Sequence, residues 1–303
     1  MQTTRTILQP KHYISLFIVI IAWSLPPVLG RYLVSNNIDP LFLGFMRYLV
    51  ASSALILLFS IFKRNLLKET SFLFRDRLYS LIVTAIFLDG LVVFLFLGVE
   101  TATASVATIL LNANGVFIFI LSIFLLGEDY SRQKVCGSIF ALVGSSIVIG
   151  AEFLELLRDQ PNFFLGALLT LLAGFSFATY SVLSEILFPD YSPESALTAQ
   201  LFMGSLILLP LVLFLEGFSV NYQFSDFLLI GILGLFSTAL AFTLWFQVLR
   251  ETELGRAASV QFLIPFLGVV EGIILLEEQL AVATVLGGFL TIIGVFLLVS
   301  PGT

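Results

Sequence analysis

Residues 103–126 read TASVATILLNANGVFIFILSIFLL. No side chain among these 24 ionises, and the apolar residues show no alternation. A spanning helix needs about 20 mostly apolar residues. The stretch therefore predicts a transmembrane helix rather than a barrel strand, which would alternate in polarity. Nine more stretches read the same way: roughly 13–34, 41–62, 78–98, 134–151, 164–186, 195–217, 226–249, 256–276 and 281–299. Composition agrees. Of 303 residues, 59% are apolar and 11% charged, with a mean hydropathy of +1.08. A soluble domain is nearer half apolar and a quarter charged, and no globule can hide this much apolar surface from water.

The connections are short. The longest polar one, 63–77, reads KRNLLKETSFLFRDR and is expected to be a loop. Basic residues orient the chain. With the N-terminus inside, the inner face receives Arg5, Lys11, Lys63, Arg64, Lys68, Arg75, Arg77, Arg132, Lys134, Arg250 and Arg256. The outer face receives Arg31 and Arg158, and Arg47 lies within the second helix. Both termini are expected in the cytoplasm of a multi-pass protein of the plasma membrane. The first apolar stretch holds Pro26 and Pro27 and has no clear small-x-small cleavage site, so it reads as a retained helix.

Shifting the chain by 150 residues brings its halves into register. Ala107 falls on Ala257 and Gly115 on Pro265. Leu125, Leu126, Gly127, Glu128 fall on Leu275, Leu276, Glu277, Glu278. Gly137 falls on Gly287, and Gly144 on Gly294. This predicts two repeats, 1–151 and 152–303, of five helices each. An odd number of helices inverts the second copy across the membrane, the arrangement typical of secondary transporters, with a site near the midplane.

On these residues the chain resembles the EamA-type branch of the drug/metabolite transporter superfamily. One stretch runs from Ala257, Ala258 and Ser259 through Pro265 to Leu276, Glu277 and Glu278, then Gly287 and Gly294. The other runs from Thr103 to Gly127 and Glu128, then Gly137 and Gly144. Ala22-Trp23-Ser24-Leu25-Pro26-Pro27 is similar to the family's first helix, and Arg47 to a basic residue of its second. At Leu111-Asn112-Ala113-Asn114-Gly115 this chain lacks the proline usual near that glycine. The resemblance implies a central cavity between two inverted repeats, and movement of amino acids, other metabolites or drugs across the bacterial inner membrane, often outward.

Ionisable groups inside a bilayer cost about 2.5–3.5 kcal/mol each on insertion scales, so the few present are the first site candidates. Asp89 lies mid-helix and reads either as a proton carrier, a counter-charge for a substrate amine, or a structural carboxylate. Arg47 could pair with Asp89, bind a substrate carboxylate, or be structural. Glu271 faces the cavity or reaches toward headgroups. Asn112 and Asn114 stand near the midplane and point in different directions, so one at most faces a cavity; interhelical hydrogen bonding is the plain alternative. Trp23, Tyr180, Trp245 and Gln261 complete the candidates, each also explicable by packing. Glu128 and Glu278 are expected to cap helix ends. Gly137, Gly144, Gly287 and Gly294, seven apart within each pair, are expected to allow close helix packing, and they also admit a homodimer.

The leading reading is a secondary transporter that exports an amino acid or related small metabolite by alternating access, with protons as the candidate coupling ion. Uptake or exchange of a cationic or nucleoside-bearing metabolite is the alternative within transport. A non-transporting membrane scaffold is the alternative outside it. His12 is the sole histidine, and no HExxH, CxxC or P-loop sequence occurs. An enzyme, a metal site, direct use of ATP and a cofactor are therefore not expected. The net charge of −6 disfavours a nucleic-acid partner.

Overall fold

The computed structural model describes residues 10–127, 132–156, 162–216, 222–251 and 263–299. All regular structure among them is helical. The first half supplies α1 (Pro10–Ser35), α2 (Pro40–Phe62), α3 (Arg64–Asp76), α4 (Leu78–Thr101), α5 (Ala104–Leu111), α6 (Asn114–Leu121) and α7 (Arg132–Leu156). The second supplies α8 (Phe163–Leu187), α9 (Pro193–Leu211), α10 (Phe224–Gly234), α11 (Ala241–Glu251), α12 (Leu263–Leu276) and α13 (Val282–Val299). Wide π turns extend α6 over Ser122–Leu126 and α9 over Val212–Glu216, and join α10 to α11 over Leu235–Leu240.

Among the described residues, seven helical spans are long and apolar enough to cross a membrane: His12–Ser35, Pro40–Phe62, Leu78–Thr101, Ala104–Leu126, Phe163–Leu187, Pro193–Leu215 and Phe224–Val248. Three further apolar stretches, Val135–Val148, Leu263–Leu276 and Val282–Leu297, are helical but shorter. The chain is thus a multi-pass helical protein. Helix α1 runs through Pro26 and Pro27 without ending, as neighbouring helices permit in a membrane. Both α2 and α9 open with proline in the first helical position, after Asp39 and Ser192. There the missing N–H is no loss.

One expectation is corrected. The stretch 63–77 is not a loop, because α3 occupies it. Leu73 and Thr70 are buried on one side of α3, while Arg64, Lys68, Phe72 and Arg75 are exposed on the other. Glu69 fixes α3 to the start of α9. Its carboxylate accepts from the Ser192 backbone N–H at 2.5 Å, from Ser192 Oγ at 2.7 Å and from Ser195 Oγ at 3.0 Å.

Packing partners pair up across the chain. Helix α2 packs on α9, α5 on α12, and α7 on α13. Helix α4 packs on α8 and α9, while α11 packs on α1 and α10 on α2. The α7–α13 seam is lined by glycine as expected. A Cβ on Gly144 would stand 2.6 Å from the Gly287 carbonyl and 2.5 Å from the Thr291 amide nitrogen. One on Gly294 would collide with the Ala141 backbone and stand 2.5 Å from the Gly137 carbonyl.

Candidate functional site

Asp89 and Arg47 are both buried, on α4 and α2. They do not form an ion pair with each other. Neither Asp89 carboxylate oxygen has a hydrogen-bond partner among the described residues. Arg47 Nε instead donates to Thr238 Oγ1 at 3.0 Å, and its guanidinium stands 6.0 Å from the centre of the Phe96 ring. Thr238 lies in the π turn between α10 and α11, and its hydroxyl donates to the Leu233 carbonyl five residues back, at 3.0 Å. Such turns recur at functional sites because they release a backbone group and re-aim a side chain.

Two neighbours shape the space around Asp89. Gly204 of α9 leaves room for it, since a Cβ there would collide with Asp89 Oδ1. Tyr48 is within electrostatic reach of Arg47, Asp89 and Tyr180. Its own hydroxyl is spent on the Leu88 carbonyl at 2.7 Å, so it holds the α2–α4 contact without satisfying the acid.

Tyr180 belongs to a closed network. Its hydroxyl donates to Gln200 Oε1 at 3.1 Å, and Gln200 Nε2 donates to Thr84 Oγ1 at 3.1 Å and Ser184 Oγ at 2.9 Å. These bonds tie α4, α8 and α9 together and leave the tyrosine engaged.

A second polar group gathers at α1, α11 and α12. Ser24 Oγ donates to Glu271 Oε1 at 2.8 Å, whereas Glu271 Oε2 is buried without a partner among the described residues. Trp23 Nε1 is likewise buried and, among the described residues, unpartnered. The Trp23 ring lies 5.1 Å from Phe242 and 5.4 Å from Trp245, both tilted. Trp23 and Trp245 are therefore together, and Arg47 is tied to the turn that opens into the same helix. Asn112 Nδ2 bonds back to the Thr108 carbonyl of its own helix at 2.9 Å, at the break between α5 and α6. Asn114, just past the break, faces Gly174 of α8, whose added Cβ would lie 3.7 Å from the Asn114 Cβ. Gln261 and Glu128 lie outside the described residues.

Glu278 caps as expected. Its carboxylate accepts from the Ala104 and Ser105 backbone N–H groups at 2.6 and 3.0 Å and from Ser105 Oγ at 2.6 Å. Sequence reading passed over Thr238, Ser24 and Gly204. A hydroxyl or a glycine in an apolar run is a faint signal, and the π turn that gives Thr238 its task is written in no residue type.

The described residues thus form a multi-pass helical protein that carries an acid and a base within its apolar interior, not paired with each other. The EamA-like transporter family matches residues 10–150 and again residues 164–300, and the chain belongs to that family. An uncharacterised transporter of Archaeoglobus fulgidus is 26% identical over 95% of this chain and 99% of its own length. A probable amino-acid metabolite efflux pump of Salmonella typhimurium is 26% identical over 69% of this chain and 72% of its own length. One crystal structure shares the fold with a TM-score of 0.68, at 16% identity, over 96% of both chains.

Proposed function

We propose that the chain is a secondary transporter that moves a small metabolite, an amino acid or related compound, outward across the inner membrane by alternating access. In this reading ten helices form two inverted repeats, 1–151 and 152–303, with both termini cytoplasmic. Asp89, Arg47, Glu271, Trp23, Trp245 and Asn114 face or line the path. Asp89 meets a substrate amine or a coupling proton, and Arg47 meets a carboxylate.

The observation that carries the reading is the buried carboxylate of Asp89, which has no hydrogen-bond partner among the described residues, while the buried Arg47 guanidinium bonds to Thr238. Such an acid costs several kcal/mol in a protein interior, and a structural role offers no return while its oxygens stay unmatched. The repeat is supported by the exchange of packing partners. If α1 corresponds to α8, α2 to α9, α4 to α10–α11, α5–α6 to α12 and α7 to α13, then α4–α8 is the mate of α11–α1, and α4–α9 of α10–α2. Gly127 and Glu277, 150 residues apart, both adopt left-handed backbone, with φ of 69° and 54°. Efflux of amino-acid metabolites is the activity in the names of the Salmonella relative and of one from Escherichia coli.

Purified protein in liposomes loaded with a panel of radiolabelled amino acids tests the proposal. Release of at least one solute above protein-free liposomes is expected. No movement of any solute under sodium, proton or counter-substrate gradients would remove the transport reading.

A further inference from the structure

We infer that α3 and the α2–α3 corner form a docking surface for anionic phospholipid headgroups. The basis is the unlike character of its two faces. Helix α3 links α2 to α4, which are both long and apolar enough to span. Its 13 residues reach only about 20 Å, short of the roughly 30 Å hydrocarbon core. It therefore lies at the one membrane surface that α2 and α4 share. A helix there sorts its residues, apolar or aromatic toward the acyl boundary and basic toward the headgroups.

Arg64, Lys68, Phe72 and Arg75 follow one another at spacings of four, four and three, and all four are exposed. Successive side chains at such spacings share one helix face. Phe62, at the end of α2, is 74% exposed, and Tyr79, at the start of α4, is 81% exposed. The stripe thus carries three cations with Phe72 among them, and an exposed aromatic stands beyond each of its ends. The acid that would neutralise it is turned away, since Glu69 is committed to Ser192 and Ser195 of α9. The other acid, Asp76, stands at the far end of the helix beside Arg75 and Arg77. An open cleft of about 380 Å³, lined by Phe62, Lys63, Arg64, Asn65 and Leu66, lies where α2 meets α3. It offers a phosphate two cations and an amide side chain. Charge complementarity thus picks anionic over zwitterionic lipid as the occupant. Each basic residue near an anionic surface strengthens attachment about fivefold, so three together give on the order of 100-fold.

The inference rests on the membrane placement and not on transport, so its test reads binding rather than flux. The full-length chain in mild detergent is titrated separately with phosphatidylglycerol, with phosphatidylcholine of the same acyl chains, and with inorganic phosphate, and its melting temperature is followed. Phosphatidylglycerol is expected to raise it at concentrations on the order of 100-fold lower than phosphatidylcholine, with phosphate without effect. The variant R64Q/K68Q/R75Q is expected to lose that preference, and Arg132→Gln, at the exposed start of α7, to keep it. Equal responses to the two lipids, an equal response to phosphate, or an undiminished preference in the triple variant would each overturn the inference. Should the triple variant fail to fold, the unmodified chain in about 0.5 M salt replaces it, because surface charges are screened there. A phosphatidylglycerol preference that survives salt overturns the inference as surely.

Discussion

Two seams of this molecule use glycine in opposite ways. Along α7 and α13, glycine removes a side chain so that two backbones meet, with Gly144 against Gly287 and Thr291, and Gly294 against Gly137 and Ala141. Nothing polar is left waiting there among these contacts. Between α4 and α9, Gly204 removes a side chain so that a carboxylate can enter, and that carboxylate finds no donor. The first seam spends its space on packing, which in lipid is the main force holding helices together. The second keeps an unsatisfied acid in its space. Small residues in membrane helices are thus ambiguous until the facing atom is known. A facing carbonyl marks structure, while a facing unpartnered acid leaves a polar group unmatched.

The sharpest way to break this comparison is to fill each seam. Gly294→Leu puts four carbons where the Ala141 and Gly137 backbones already stand, so α7 and α13 must part. A loss of about 3 kcal/mol is expected, at the upper end for overpacking, read as a large fall in melting temperature and in yield of folded protein. A variant that melts like the parent would show that the seam opens freely. Asp89→Asn tests the other side. It removes the titratable group and keeps the shape, so the melting temperature should hold or rise, because a buried group that is costly to ionise is gone. Flux in liposomes should fall tenfold or more. Unchanged flux would return Asp89 to the structural residues and leave the two seams equivalent.

Much of this contrast was legible in the sequence, but unevenly. Helix positions followed from unbroken apolar runs, since lipid forces backbone groups to bond within the segment. The glycines of α7 and α13 announced themselves by a seven-residue spacing that recurs 150 positions later. Helix α3 reads as a loop in the sequence because its charges mask an edge of half-buried Leu66 and buried Thr70 and Leu73; the amphipathic period is there, in a stretch too short and too polar for a spanning pattern to register. Asp89 stands out as an acid in an apolar run, yet its isolation cannot be read there, because the sequence does not show that Arg47 bonds to Thr238 instead. That partner, Thr238, depends on a π turn, and Gly204 acquires meaning only when α9 lies against α4. Pair contacts between distant helices are set by tertiary packing and leave no local trace. Glu278 was foreseen as a cap because a carboxylate at a helix end has little else to do where free N–H groups wait.

The smallest expected effect probes the same contrast at a single backbone position. Gly127 and Glu277 both end a helix in left-handed backbone, but one is a residue that adopts it freely and the other must hold a Cβ against its own carbonyl. That conformation costs an ordinary residue about 1–2 kcal/mol. Glu277→Gly relieves it but gives the unfolded chain more freedom, which takes back about 0.4–1 kcal/mol. A net gain of about 0.5 kcal/mol is expected, seen as a slight rise in melting temperature with flux unchanged. A rise in stability accompanied by a loss of flux would be the more instructive result. It would mean that the glutamate's strain is kept for a task, and would move residue 277 from the packing side of the comparison to the side of Asp89. The neighbouring Glu278 must be followed in the same variant, because its bonds to Ala104 and Ser105 depend on the turn that residue 277 makes. If the gain is absent and those bonds loosen, the left-handed turn is positioned by the glutamate and not merely tolerated by it.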